Sequence, residues 1–265
     1  MKPTGFLFAL ALSFASVHGE ELITWKRVQL SDQFYSEGAS FADIDKDGHM
    51  DIISGPYWHA GPDWKQKHEI YEPKVFNIVG YSDNFFSYPR DINGDGWLDI
   101  LVLGFPGKEA RLYLNPGAET KGHWPMHIVA DVVDNESPVF TDITGDGKPE
   151  IVCSTGGKFG WFSPNWDKPT EKWTFTAVTP DQKVAKFTHG LGVGDVNGHG
   201  KLDLLEARHW WENSGITFGA NNGPDVPSPF SQHTFATGIP GGAQMFAYDF
   251  NGDGTNDIAT ALAAH

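Results

Sequence analysis

The sequence is poor in sulfur and in positive charge. Only one of its 265 residues is a cysteine, Cys153, so the chain cannot form an internal disulfide. This residue lies in an apolar, strand-like segment, and we interpret it as a small core residue. Lysine and arginine number 19 against 34 acidic residues, which gives a net charge of −15. Such an acidic chain is a poor partner for nucleic acid, because phosphates attract basic surfaces.

The chain also lacks an apolar run long enough to cross a membrane. An N-terminal apolar stretch, residues 5–15, follows Lys2 but is too short for a transmembrane helix. Small residues within 13–15 or 17–19 suit a cleavage site. The sequence therefore predicts a signal peptide over residues 1–19 and a secreted, periplasmic or cell-surface protein. The alternative is a buried N-terminal segment.

One short acidic loop occurs five times in the sequence, about every fifty residues. Each copy has nine residues, with Asp at position one, Gly at position six and a carboxylate at position nine. These loops hold 15 of the 34 acidic residues. A period of this length predicts a repeat architecture. Loops 1 to 5 cover residues 43–51, 91–99, 142–150, 195–203 and 249–257.

The residue types in the loops predict calcium binding. Oxygens at positions one, three, five and nine, with a backbone carbonyl near position seven, can surround one hard cation. Glycine at position six permits the sharp turn, with positive φ, that aims these oxygens inward. A single such cluster is usually a solvated turn, but fivefold repetition favours up to five calcium ions. The predicted side-chain ligands are Asp43, Asp45, Asp47, Asp51, Asp91, Asn93, Asp95, Asp99, Asp142, Thr144, Asp146, Glu150, Asp195, Asn197, Asp203, Asp249, Asn251, Asp253 and Asp257, with Met50, Trp97, Lys148, Lys201 and Thr255 as carbonyl donors.

Two loops depart from the pattern. Thr144 places a neutral hydroxyl at position three of loop 3, and His199 places an imidazole at position five of loop 4. Calcium prefers hard oxygen ligands to an imidazole. We therefore expect loop 4 to bind calcium weakly or through water.

Strands, rather than helices, are predicted around the loops. An EF-hand needs an acid at position twelve and flanking helices, whereas the twelfth residue from the start of loop 1 is Ser54. A short apolar run follows each loop and is typical of a strand buried on both faces. Aromatic and mixed segments farther along supply a third and a fourth strand. Four strands per repeat predict a propeller blade.

The loop repeats resemble a known family. Phe41-Ala-Asp-Ile-Asp-Lys-Asp-Gly-His-Met-Asp-Ile-Ile and its four counterparts are similar to the calcium-loop repeats of FG-GAP/VCBS proteins, which are related in design to the integrin α-subunit propeller. The resemblance covers nearly the whole chain after residue 23. It implies an all-β fold, a β-propeller of four-stranded blades with the calcium-binding hairpin loops on one rim.

Repeat boundaries and the two chain ends leave the number of blades open. Within a propeller domain over 23–265, residues 23–30 are predicted to form a spare outer strand, and the last repeat is incomplete. Either five blades close with a defective last blade, or the chain is the front part of a six- or seven-bladed ring. We favour the truncated ring, because the sequence stops directly after a buried strand. The predicted repeats cover about 36–75, 84–130, 136–180, 188–236 and 243–265.

The rim opposite the loops is the predicted working surface. Aromatic rings can stack on sugars, while carboxylates and imidazoles can bond hydroxyl groups, so we expect a carbohydrate or an extracellular protein as the partner. Histidine and carboxylate together could instead hold a transition metal. The residues expected at this rim are Glu37, Phe85, Glu136, His189 and Ala243 before the loops, and Tyr57-Trp58-His59, Gly104-Phe105, Gly156-Gly157-Lys158, Arg208-His209-Trp210 and Ala264-His265 after the second strands.

A narrower resemblance supplies an enzymatic alternative. Thr188-His-Gly-Leu-Gly-Val-Gly-Asp195 with Arg208-His-Trp-Trp-Glu-Asn213 is similar to secreted bacterial propellers akin to the propeller part of aldos-2-ulose dehydratase. This similarity implies a carbon-oxygen lyase acting on keto-sugars. It makes His189 the candidate general base, with His209, His59, Arg208 and Glu136 as further catalytic candidates. The sequence thus leaves two hypotheses, a binding module and a sugar lyase.

Overall fold

The computed structural model describes residues 24–118, 122–215, 230–235 and 242–261. The regular structure of these residues is β-strand, in agreement with the predicted all-β class. None of them forms a helix long and apolar enough to cross a membrane. The predicted signal peptide over 1–19 and the rim pair Ala264-His265 lie outside the described residues. Residues 24–30 contain no strand, so the spare outer strand predicted over 23–30 is not confirmed there.

The first repeat is a four-stranded antiparallel sheet. Its strands follow one another in space in their chain order, which is the pattern of a meander. Loop 1 joins the first two strands, as the sequence predicts. The strands are β1 (Ala39–Ala42), β2 (Asp51–Ser54), β3 (Tyr57–His59) and β4 (Lys67–Glu69).

The second and third repeats share one long strand. The first half of β8 (Met126–Thr141) pairs with the strand before it, and the second half pairs with the strand after it. The sequence predicts two separate strands here, whereas the backbone continues extended from one repeat into the next. The other strands of this seven-stranded sheet are β5 (Phe86–Arg90), β6 (Asp99–Leu103), β7 (Lys108–Tyr113), β9 (Glu150–Thr155), β10 (Lys158–Ser163) and β11 (Thr174–Ala177).

The fourth and fifth repeats meet through their first strands. Strand β12 (Leu191–Gly194) pairs in parallel with β16 (Gln244–Tyr248). A Cβ atom on Gly192 would lie 2.0 Å from the carbonyl oxygen of Met245, so only glycine permits this approach. The remaining strands of this sheet are β13 (Asp203–Glu206), β14 (His209–Asn213), β15 (Phe230–Thr234) and β17 (Asp257–Ala259).

The segments that lead into the first strands of other neighbouring repeats also run side by side. The amide of Glu37 donates to the carbonyl of Asn84 at 3.1 Å, and the amide of Glu136 donates to Thr188 at 3.2 Å. The first bond joins the segments before β1 and β5, and the second joins the second half of β8 to the segment before β12.

The hydrophobic core lies between successive repeats. One cluster joins Ile53 and Trp58 of the first repeat to Ile100 of the second, and two further clusters link the second repeat to the third and the third to the fourth. Cys153 is fully buried in the middle cluster, and burial raises the pKa of its thiol. The first four repeats therefore bury apolar side chains against their neighbours, as expected for stacked repeats.

Candidate metal loops and binding cavity

The five loops share one scheme of hydrogen bonds at their tips. In each loop the aspartate at position one accepts the backbone N–H of the glycine at position six, at 2.7–3.1 Å. That glycine has φ between 85° and 88° in all five loops. The predicted positive φ is therefore confirmed, in a region that favours glycine over other residues. The glycines are Gly48, Gly96, Gly147, Gly200 and Gly254.

The acid at position nine is buried and fastens the end of the loop to its beginning. In loops 1 to 4 it is at most 2% exposed, and one of its oxygens accepts the backbone N–H of position two at 2.7–3.1 Å. Burial raises the pKa of Asp99 to about 6 and that of Glu150 to about 7. A buried carboxylate is costly without a nearby positive charge, so these residues fit a bound cation.

Loops 1 and 3 each bring three carboxylate side chains together. In loop 1, atoms of Asp43, Asp45 and Asp51 lie within 4.8 Å of one another. In loop 3 the corresponding group is Asp142, Asp146 and Glu150. All of these donors are oxygens, which suits a hard cation such as calcium. Loops 2 and 5 have Asn93 and Asn251 at position three, where the side-chain amide oxygen can serve as a metal ligand.

The assignment of Met50 as the carbonyl donor of loop 1 is wrong. Counted from Asp43, position seven is His49, which corresponds to Trp97 in loop 2. The carbonyl of Met50, at position eight, accepts the indole N–H of Trp64 at 2.9 Å. The carbonyl of Met50 therefore holds Trp64 in place, and Met50 does not occupy position seven, where a ligand is expected.

His199 lies among the acids of loop 4. Its Nδ1 is 3.0 Å from Oδ1 of Asp195, and its Nε2 is 2.9 Å from the carbonyl oxygen of Asn213. Nε2 is also 3.7 Å from the buried carboxylate of Asp203. Desolvation lowers the pKa of His199, but these three acceptors outweigh it, and the pKa is raised overall. The imidazole thus takes part of the space between the acids.

Two asparagines tie neighbouring repeats together, and the sequence analysis did not single them out. The side-chain amide of Asn115 donates to the carbonyl of Ile44 in loop 1 and to that of Leu98 in loop 2. Asn213 makes the same pair of bonds, to Ile143 in loop 3 and to Leu202 in loop 4. The signal that could have found them is an Asn-x-Gly sequence at or just after the end of the third strand in both repeats.

A cavity of about 480 Å³ gathers four of the residues predicted for the rim opposite the loops. We call it the mouth cavity. The predicted residues in its lining are Phe85, Phe105, Glu136 and His189. Three further lining residues, Tyr81, Pro106 and Phe187, were not predicted. Phe187 lies only two residues before His189, so a slightly wider window in the sequence would have included it.

Aromatic rings form one wall of the mouth cavity, and a carboxylate and an imidazole lie beside them. The ring centroid of Phe105 lies 5.3–5.7 Å from those of Tyr81, Phe85 and Phe187. The ammonium group of Lys186 is 4.7 Å from the ring centroid of Phe187. Nδ1 of His189 is 3.5 Å from Oε2 of Glu136, and both side chains are partly exposed.

Other predicted rim residues lie elsewhere. Tyr57, Trp58 and His59 form β3 and are buried, so His59 is not at the rim, and burial lowers its pKa. His209 pairs through Nδ1 with Glu206, and the backbone N–H of Arg208 donates to the same carboxylate. Of the predicted catalytic set, only Glu136 and His189 line the mouth cavity.

Three more of the predicted rim residues make contacts outside this cavity. Glu37 accepts bonds from the backbone and the hydroxyl of Ser82. Gly157 lies against Asp181, and Trp210 stacks on His233. These contacts are structural within the described residues and place none of the three in the lining of the mouth cavity.

A comparison with known protein families supports part of the repeat pattern seen in the sequence. Residues 91–153 match the FG-GAP-like repeat family, over a segment that includes loops 2 and 3. No curated protein matches the chain significantly. The chain is thus an all-β protein in which residues 91–153 match an FG-GAP-like repeat, in agreement with the loop motif there.

One solved structure shows a related fold. A lectin from Agrocybe aegerita, described as specific for non-reducing terminal N-acetylglucosamine, is 18% identical with a TM-score of 0.51. The alignment covers 85% of this chain and 61% of the lectin, so this chain spans less than two thirds of the length of that protein. The Tc holotoxin pore of Photorhabdus luminescens is 19% identical over 84% of this chain and 10% of its own, with a TM-score of 0.40.

Proposed function

We propose that the protein is a secreted, calcium-binding β-propeller that recognises carbohydrate at the mouth cavity. The observation that carries this proposal is the aromatic wall of Phe85, Phe105 and Phe187 beside the Glu136–His189 pair. A volume of about 480 Å³ is within the range of small-ligand sites. Aromatic faces can cover the apolar side of a sugar ring, while the carboxylate and imidazole bond its hydroxyl groups.

The fold comparison supports a glycan over an extracellular protein as the partner. The lectin of similar fold recognises non-reducing terminal N-acetylglucosamine, which makes that sugar the first probe to use here. The four-stranded repeats and the side-by-side approaches to their first strands support a propeller. An extracellular protein surface is the other partner that this module could bind.

Calcium has a structural role in this proposal. Bound calcium would supply positive charge to the buried carboxylates of the loops. The chain itself holds those carboxylates in place, because the acids at positions one and nine accept hydrogen bonds from backbone N–H groups of the same loop. An extracellular location would also provide calcium at the millimolar concentrations that weak sites require.

The proposed sugar site is tested by binding to a panel of immobilised glycans that includes terminal N-acetylglucosamine, galactose, glucose and mannose. Phe187→Ala removes one ring of the wall and should weaken binding about tenfold or more. Phe41→Ala is the matched control, because Phe41 is an exposed phenylalanine outside the cavity lining. Equal binding by the two variants would contradict the proposal.

A second candidate function is a sugar lyase, and the Glu136–His189 contact favours it. At 3.5 Å, Glu136 can orient the imidazole of His189, which would remove the proton next to the carbonyl of a keto-sugar. The imidazolium would then give this proton to the β-hydroxyl, which leaves as water. The product is an ultraviolet-absorbing enone. His189→Ala should then lower the rate about 10²-fold or more. If no keto-sugar yields an enone, or if the variant is as fast as the wild type, the lyase hypothesis is wrong.

A further inference from the structure

A second cavity, of about 330 Å³, lies between the first and second repeats. We call it the inter-repeat cavity. The first repeat contributes Trp58, His68 and Glu69, and loop 1 contributes Asp45. The second repeat contributes Asn115 and His123. None of the residues that line the mouth cavity is among its lining residues.

Its imidazoles are held in fixed positions but are open to solvent. The ring of His68 stacks on Trp58, with centroids 4.2 Å apart and planes 17° from parallel. Nε2 of His123 lies 2.9 Å from Oε2 of Glu69, and this contact joins the two repeats across the cavity. Both histidine side chains are exposed. Each therefore has ring atoms that a ligand can reach without rearrangement of the core.

The Trp–His stack recurs in the fourth repeat. Trp210 and His233 are paired across β14 and β15, as Trp58 and His68 are across β3 and β4. Their centroids are again 4.2 Å apart, and Nε2 of His233 is 2.8 Å from Oε2 of Glu212. A Trp–His stack and an imidazole–carboxylate contact thus occur in both repeats; in the first repeat they belong to His68 and His123, and in the fourth to His233 alone.

Loops 1 and 2 brace the inter-repeat cavity. Asn115 bonds the carbonyl of Ile44 in loop 1, and its backbone N–H donates to Asp99 of loop 2 at 2.9 Å. Asp45, in the cavity lining, also belongs to the acidic group of loop 1. Without a cation, Asp45 is repelled by the other acids of that group. The cavity wall therefore depends on the charge state of the loop.

We infer that the inter-repeat cavity is a second saccharide site, sized for one neutral sugar ring, whose affinity rises when loop 1 holds calcium. Carboxylate, carboxamide and imidazole groups offer both donors and acceptors to hydroxyl groups, and the volume is at the small end of ligand sites. The inference rests on the proposed function in two respects only: the loops bind calcium, and the ligand is a saccharide. Two separate sites make the chain bivalent, which strengthens attachment to a surface that displays many glycans.

The test counts sugar sites by equilibrium dialysis of the purified chain with N-acetylglucosamine, galactose, glucose and mannose, each in calcium and in chelator. The double variant His68→Ala/His123→Ala should remove one site, or weaken it at least about tenfold, and leave the other unchanged. Phe187→Ala should do the reverse. His127→Ala is the matched control, since His127 lines neither cavity. Chelator should lower the affinity of the inter-repeat site, which the double variant removes, more than it lowers the affinity of the mouth site.

Each outcome decides between the two sites. If Phe187→Ala abolishes all binding, the inter-repeat site is wrong and the mouth site stands. If only the double histidine variant has an effect, the inter-repeat site stands and the mouth site is wrong. If none of the four sugars binds in calcium, both are overturned. An affinity of the inter-repeat site that is equal in calcium and chelator would contradict its link to loop 1.

Discussion

The side-chain amide of Asn115 donates a hydrogen bond to the carbonyl oxygen of Ile44 at 3.2 Å, across 71 residues of chain. Ile44 is position two of loop 1, so the bond fastens the end of the second repeat to the metal loop of the first. Asn213 and Ile143 repeat the arrangement in the third and fourth repeats. The loops therefore belong to the contacts between repeats as well as to their own hairpins.

Replacement of Asn115 by alanine should lower the free energy of unfolding by about 1–3 kcal/mol, because buried carbonyl groups lose their donor. Asn213→Ala should have a similar effect for the same reason. Urea unfolding followed by tryptophan fluorescence measures both changes. Asn165→Ala is the control, since this asparagine is exposed, and its effect should stay within about 0.5 kcal/mol. Equal stability of all three variants and the wild type would mean that the bonds of Asn115 and Asn213 between repeats are dispensable.

His199→Asp should give loop 4 the acid that the other loops carry at position five. The imidazole that lies between Asp195 and Asn213 is replaced by a carboxylate, which is a hard ligand. We expect the number of tightly bound calcium ions to rise by one, as measured by equilibrium dialysis. His127→Asp adds the same charge outside the loops and should leave the number unchanged. No difference between the two variants would show that His199 does not limit binding.

Burial of His59 predicts a specific loss of stability in mild acid. Burial lowers the pKa of His59 in the folded protein below its ordinary value of 6.5. The unfolded chain therefore takes up a proton first, and stability falls as the pH drops below about 6.5, by at most about 1.36 kcal/mol per pH unit. The loss stops once the pH is below the pKa of the folded protein.

The His59→Gln variant lacks this proton uptake. Its free energy of unfolding should therefore fall less steeply than that of the wild type as the pH drops from about 6.5 toward 5. Urea unfolding in chelator measures both slopes and removes the effect of calcium. His127→Gln, at a half-buried histidine, is the control. Parallel slopes for the wild type and His59→Gln would contradict the assignment.

The loops were predictable because their chemistry is local. Position-one aspartates and position-six glycines lie within one nine-residue turn, so spacing alone fixes their contacts. The bond from Asn115 to Ile44 was not predictable in this way, because it depends on how two repeats pack. Pairs such as these appear only when the chain is folded.

Some of the residues expected at the opposite rim lie together in the structure. Phe85 and His189 lie just before β5 and β12, Glu136 lies within the second half of β8, and all three line the mouth cavity. His59 was misplaced because a two-residue turn follows β2, so that Tyr57 already begins the third strand. A short aromatic strand with no polar alternation gives no sign in the sequence of where it starts. Tyr81 and Phe187 were missed because they lie in irregular segments.

Thermal unfolding of the chain in millimolar calcium and in chelator tests the central claim, that the five loops are calcium sites which stabilise the repeats. Extracellular sites with Kd near 10⁻⁴ M would contribute roughly 1.4 kcal/mol each at millimolar calcium, so several filled loops should raise the unfolding midpoint by many degrees. Magnesium at the same concentration should raise it less, since it demands a more rigid octahedral shell. Identical midpoints in calcium and in chelator would contradict the account.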